Sequence, residues 1–149
     1  MKHTLHRLLV LALTTLALTT TVVTAHEKIT VGPNKGRLIT TVEPRAEFFV
    51  TAERKVQITF VDKDGKAIAP ASQVVTVTAG ERSAPTTLTF TKTGNVLLSD
   101  KVLPAGNDFP TVVQIKTTSE AKATVARFNL NLSVCEECQN LEYACTCAH

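Results

Sequence analysis

Val125-Ala126-Arg127-Phe128-Asn129-Leu130-Asn131-Leu132-Ser133-Val134 alternates apolar with polar residues, and Phe128, Leu130, Leu132 and Val134 fall on one side of an extended chain. A period of two is the mark of a β-strand with one face on a core and the other in water. The pattern recurs upstream. Val56, Ile58 and Phe60 alternate with Lys55, Gln57 and Thr59, and Val75 with Val77, Leu88 with Phe90 and Val113 with Ile115 repeat it. Threonine is frequent on the polar positions, as suits a half-buried pleat.

Between these runs lie Gly32-Pro33-Asn34-Lys35-Gly36, Asp62-Lys63-Asp64-Gly65, Ala79-Gly80-Glu81, Thr93-Gly94-Asn95 and Pro104-Ala105-Gly106-Asn107-Asp108. Each supplies glycine or Asx where the backbone must reverse. About eight short strands without a helical stretch predict an all-β fold: a two-sheet antiparallel sandwich of immunoglobulin or fibronectin-like architecture, with a short cysteine-rich C-terminal tail. A small open barrel is the second architecture compatible with the pattern. The chain has no Trp and no widely spaced cysteine pair, so the expectation concerns architecture only.

Residues 1–25 read as a cleaved secretory signal. Lys2 and Arg7 precede an apolar, threonine-rich run from Leu8 to Val23, which ends in Val23-Thr24-Ala25. The run is interrupted by Thr14, Thr15 and Thr19 to Thr21 and is short for a bilayer core of about 30 Å. No second apolar stretch is long enough to span a membrane. The expected organisation is therefore a signal peptide over 1–25, one β domain over 26–134 and a tail over 135–149, in a periplasmic or secreted protein.

Of 16 Lys and Arg, two lie in the signal, whereas all 13 Asp and Glu lie beyond it, which leaves 14 against 13, a net of +1. A nearly neutral chain with no basic cluster offers no footprint for nucleic acid. Enzyme chemistry is equally hard to place. Lys28 to Val134 contains no His and no Cys, so a nucleophile in the body would lack its imidazole partner. Glu43 and Glu47 read as exposed strand residues, and Asp62 and Asp64 as turn residues without the later ligands of a calcium loop.

All four cysteines fall in Cys135-Glu136-Glu137-Cys138-Gln139-Asn140-Leu141-Glu142-Tyr143-Ala144-Cys145-Thr146-Cys147-Ala148-His149. Thiolates at C-x-x-C and C-x-C spacing, with a terminal imidazole, are ligand chemistry for one thiophilic ion, Zn or Cu. The predicted metal ligands are Cys135, Cys138, Cys145 and Cys147, with His149 as an alternate ligand. His26 would become the first residue after cleavage, where its amine and imidazole can chelate Cu²⁺. The competing reading is disulfide formation in an oxidising compartment, since four cysteines permit three pairings. A bridge over a loop of about 13 residues contributes roughly 3 kcal/mol and a structural zinc site about 10 to 16 kcal/mol in peptides, but oxidation in such a compartment is kinetically driven, so these magnitudes do not decide between the two. A bridge confined to a tail would staple nothing in the core.

Val31-Gly32-Pro33-Asn34-Lys35-Gly36-Arg37-Leu38-Ile39, then Glu47-Phe48-Phe49-Val50, then Val56-Gln57-Ile58-Thr59-Phe60 with Asp64-Gly65-Lys66 resembles a β module of periplasmic adaptor subunits in heavy-metal efflux pumps. That module reads Gly-Pro-x-Gly-Gly-x-Leu, an acidic strand, and a strand ending in Asp-Gly-Lys-Pro. Lys35 replaces the first glycine of the pair and Ala67 the proline. More loosely, an exported sandwich beginning with His is similar to periplasmic copper-resistance carriers, which place further His or Met within the sandwich. Both resemblances imply metal handling in the bacterial envelope, with an efflux component as partner. The sequence thus predicts a non-enzymatic exported protein that binds a soft ion through its tail. The alternative is an exported interaction module with structural disulfides.

Overall fold

A computed structural model describes residues 29–147. The signal segment, His26 and His149 lie outside the described residues. Among the described residues nine strands form: β1 (Arg37–Ile39), β2 (Arg45–Val50), β3 (Lys55–Val61), β4 (Ala67–Ile68), β5 (Val74–Ala79), β6 (Thr86–Thr93), β7 (Val96–Val102), β8 (Asp108–Lys116) and β9 (Thr124–Asn131). No helix among them is long and apolar enough to cross a membrane.

The alternating positions do what their period dictates. Val56, Ile58 and Phe60 on β3, Val75 and Val77 on β5, Leu88 on β6, Val113 and Ile115 on β8 and Leu130 on β9 are buried in one core. Each such side chain contributes about 1.5 to 3 kcal/mol by leaving water. Val134 departs from its expected face and is 56% exposed. The reason is local: β9 ends at Asn131, and Val134 turns away to form an isolated bridge with Leu141.

All pairings are antiparallel, and the strands follow one path, β1-β2-β3-β7-β6-β5-β8-β9, with β4 beside β3. The all-β antiparallel expectation holds, but the strands do not part into two separate sheets. In β6, Thr86 to Thr89 pair with β5, while Phe90 to Thr93 pair with β7, so one strand passes from one half to the other. The sheet is nearly closed into a barrel. Alternation is identical in a sandwich and a barrel, and only this hand-over within a single strand separates them.

β1 and β9 end the path and face each other across a groove of about 140 Å³, lined by Arg37 to Thr41 and Val125 to Arg127. Side chains, not a backbone ladder, bridge this seam. The Arg37 guanidinium sits 4.8 Å from the Phe128 ring centre, and Phe128 meets Phe48 of β2 edge-on at 5.3 Å. Cation–π and edge-to-face contacts each stabilise by about 0.5 to 1.5 kcal/mol.

Glu47 corrects one reading of the sequence. Glu43 is exposed, as expected, but it lies in the bend before β2 and not in a strand, and Glu47 is fully buried. The Gly32 to Gly36 turn folds over β2, so closely that a Cβ at Gly32 would stand 2.5 Å from the Glu47 carboxyl carbon and one at Gly36 would stand 2.3 Å from the Phe48 carbonyl oxygen. The carboxylate replaces water with hydrogen-bond donors from that turn. Its Oε1 accepts the Asn34 and Gly36 backbone N–H groups at 2.8 Å each, and its Oε2 accepts Asn34 Nδ2 at 2.7 Å. A buried carboxylate is tolerable on those terms.

Candidate metal centre

The segment that follows β9 is built as a loop that returns on itself. Leu132 N–H donates to the Asn107 carbonyl at 2.7 Å and closes the strand end. Val134 then bridges Leu141, and Glu142 N–H donates to the Ser133 carbonyl at 2.8 Å. Inside this loop, Cys135 N–H donates to Asn140 O at 2.8 Å, and Gln139 N–H to Cys135 O at 3.0 Å. Gln139 takes φ +59°, a left-handed step that an ordinary side chain adopts only at some cost. Its Nε2 offsets part of that cost by donating to the Glu136 carbonyl at 2.7 Å. The result is a tight C-x-x-C turn with both sulfurs on one side.

Glu142–Ala144 forms a single 3₁₀ turn, and the chain then extends through Cys145. This brings C-x-C against C-x-x-C. All four sulfurs lie within 4.8 Å of one another. Cys145 Sγ is 3.4 Å from Cys135 Sγ and 3.6 Å from Cys138 Sγ, and Cys135 Sγ is 3.9 Å from Cys147 Sγ. None of the four is in a disulfide. A bonded pair stands about 2.05 Å apart, whereas thiolates about 2.3 Å from a tetrahedral zinc ion stand about 3.8 Å from each other. The contacts also do not divide into two pairs, because Cys135 and Cys145 each have two near sulfur neighbours. Four sulfurs around one point are a donor set that fits a single tetrahedral ion.

Backbone N–H groups prepare the site for negative charge. The Asn140 N–H, and after it the Thr146 N–H, hold the Cys138 thiol down to about 6 from 9.0, so it is ionised at neutral pH. The Cys147 N–H donates to Cys145 Sγ at 3.4 Å and favours its thiolate, but burial and the neighbouring Cys135 and Cys138 sulfurs outweigh it and raise the thiol. Burial first, then the Glu137 carboxylate and the other three sulfurs, push Cys147 up. A cation among them would remove the repulsion that keeps these thiols protonated.

The four cysteines are thus brought together as the spacing predicted, while the two predicted histidines, His26 and His149, lie outside the described residues. One other expectation changed. The segment from 135 onward is no loose appendage: Tyr143 and Ala144 belong to the main core, at 2% and 0% exposure. Tyr143 lies edge-on to Phe48 at 5.8 Å and stacks on Phe128 at 6.5 Å, and its hydroxyl accepts the Val50 N–H at 3.1 Å. It is the chain's single tyrosine, and a lone aromatic among ligand residues was the signal available for it in the sequence. The Asp62 turn, in contrast, is as read. Asp62 Oδ1 accepts the Asp64 and Lys66 N–H groups at 2.9 Å each, the pattern of a hairpin turn.

No family model matches the chain, and neither a curated protein nor a solved structure does.

Proposed function

We propose that this chain is a non-enzymatic, exported protein of the bacterial envelope that binds one soft metal ion, Zn or Cu, through Cys135, Cys138, Cys145 and Cys147. The observation that carries the proposal is the gathering of all four sulfurs within 4.8 Å. Tetrahedral sulfur sets of this kind suit zinc and related thiophilic ions. Export is supported by the three-part pattern of residues 1–25, and metal handling by the resemblance to efflux adaptor modules. Within that resemblance, Lys35 stands where the module has glycine and takes φ +65°, the conformation glycine adopts most easily. His149 is the alternate ligand and His26 a second, terminal chelate for Cu²⁺.

The test is metal analysis joined to a thiol count on the native exported form. One ion per chain, lost in both Cys135→Ser and Cys147→Ser, supports the proposal. A second reading has its own observation: Cys135 and Cys145 sulfurs are 3.4 Å apart, so a small approach would allow oxidation. Native protein with no free thiol and no metal would establish that reading, an interaction module with structural disulfides.

A further inference from the structure

The metal ligands flank the residue that ties the two ends of the sheet. Cys135 and Cys138 precede Tyr143, and Cys145 and Cys147 follow it. Tyr143 in turn touches Phe48 of β2 and Phe128 of β9 and accepts the Val50 N–H of β2. β9 is the last strand of the path and β2 the second, so Tyr143 spans the seam that no backbone ladder closes. The regular structure around it is short. Its 3₁₀ turn has three residues and is closed by Ala144 N–H to Leu141 O at 2.8 Å and Cys145 N–H to Glu142 O at 3.1 Å. So short a turn is marginal in isolation.

Resting on the metal reading above, we infer that the bound ion is a resident, tetrahedral divalent ion of the zinc class, and that it acts as a clasp: its occupancy fixes Tyr143 between β2 and β9 and so closes the barrel seam. Burial separates this role from that of exchangeable cargo. Cys135 and Cys145 are 2% and 5% exposed, so half of the donor set faces the core side of the loop and only Cys138 and Cys147 are partly open to solvent. A carrier presents its sulfurs to a partner, whereas this site buries two of them beside a core aromatic. Four sulfur donors also exceed what a two-coordinate monovalent ion uses, and they match the tetrahedral preference of zinc. Without the ion, sulfurs at 3.4 to 3.9 Å lose the common ligand that holds the two halves of the loop together. The groove between β1 and β9 lies along the same seam, so release of the ion loosens that wall as well.

Titration of the reduced full chain with Zn²⁺ tests the clasp, with bound zinc per chain and hydrogen exchange of the Val50 amide as separate readouts. The expected result is one zinc per chain and at least about tenfold slower Val50 exchange on loading, the size that a modest gain in local stability produces. Tyr143→Phe should still bind one zinc but lose the slowing at Val50, and Cys147→Ser should show metal-free exchange at any zinc concentration. Zinc bound at one per chain with unchanged Val50 exchange would overturn the clasp and leave the metal site standing. A chain that binds no zinc would overturn the metal reading and the clasp together. Copper in place of zinc in the native exported protein would overturn the assignment of ion class.

Discussion

The Tyr143 hydroxyl accepts the backbone N–H of Val50 at 3.1 Å across 93 residues of chain. It joins the cysteine segment to the second strand of the sheet.

This bond and its surroundings predict an alkaline loss of stability. Burial, opposed by the Val50 hydrogen bond and aided by the Glu47 charge, raises the Tyr143 phenol from 10.0 to about 12. The folded value lies above the unfolded one, so the contribution is complete below pH 10 and disappears as pH climbs through about 12. A shift of about two units corresponds to roughly 3 kcal/mol. Denaturant unfolding across that range should show the loss, and Tyr143→Phe should flatten it. The chain has one Tyr and no Trp, so phenolate absorbance reads this side chain alone.

Metal uptake should release protons in a characteristic number. Near neutral pH Cys145 and Cys147 are held protonated, while Cys138 is already ionised. Calorimetry in buffers of different ionisation enthalpy should therefore report at least two protons and fewer than four per zinc, and affinity should rise with pH. Release of none would contradict the ionisation states assigned to the cluster.

Ligand replacement should be graded against support. Cys135→Ser or Cys145→Ser should weaken zinc binding by more than the 10- to 100-fold that loss of a supporting hydrogen-bond partner typically costs. Competition with a chelator of known affinity measures this. An unchanged affinity in either variant would remove that sulfur from the donor set.

Glu47→Gln should destabilise the fold by about 1 to 3 kcal/mol, because an amide must turn either its NH₂ toward two backbone N–H groups or the same NH₂ toward Asn34 Nδ2. Gly36→Ala should be costlier, since its methyl would stand 2.3 Å from the Phe48 carbonyl oxygen. Urea midpoints rank the two.

The alternating runs were legible because each side chain answers to a single interface. Val56, Ile58, Phe60, Val113 and Ile115 needed nothing beyond their own strand to reveal their face. Glu47 was not legible, because its burial is caused by a turn that begins 15 residues earlier and folds over β2. The reversal at Thr51 to Arg54 carries no turn signal in its sequence either. It contains neither glycine nor Asx, and Arg54 takes φ +61° while its guanidinium holds the Pro104 and Gly106 carbonyls at 2.7 and 2.6 Å. At the cysteine cluster, the spacing disclosed the four sulfurs but not Tyr143, whose partners lie on β2 and β9.

The divided loyalty of β6 has a consequence for how this chain can be engineered. A strand whose first half belongs to one neighbourhood and whose second half belongs to the other leaves no cut within β6 that gives two self-sufficient pieces. Fragments ending on either side of Thr89 would each expose an unmatched edge and seek a complement. Grafted onto another scaffold, the sheet goes as one unit.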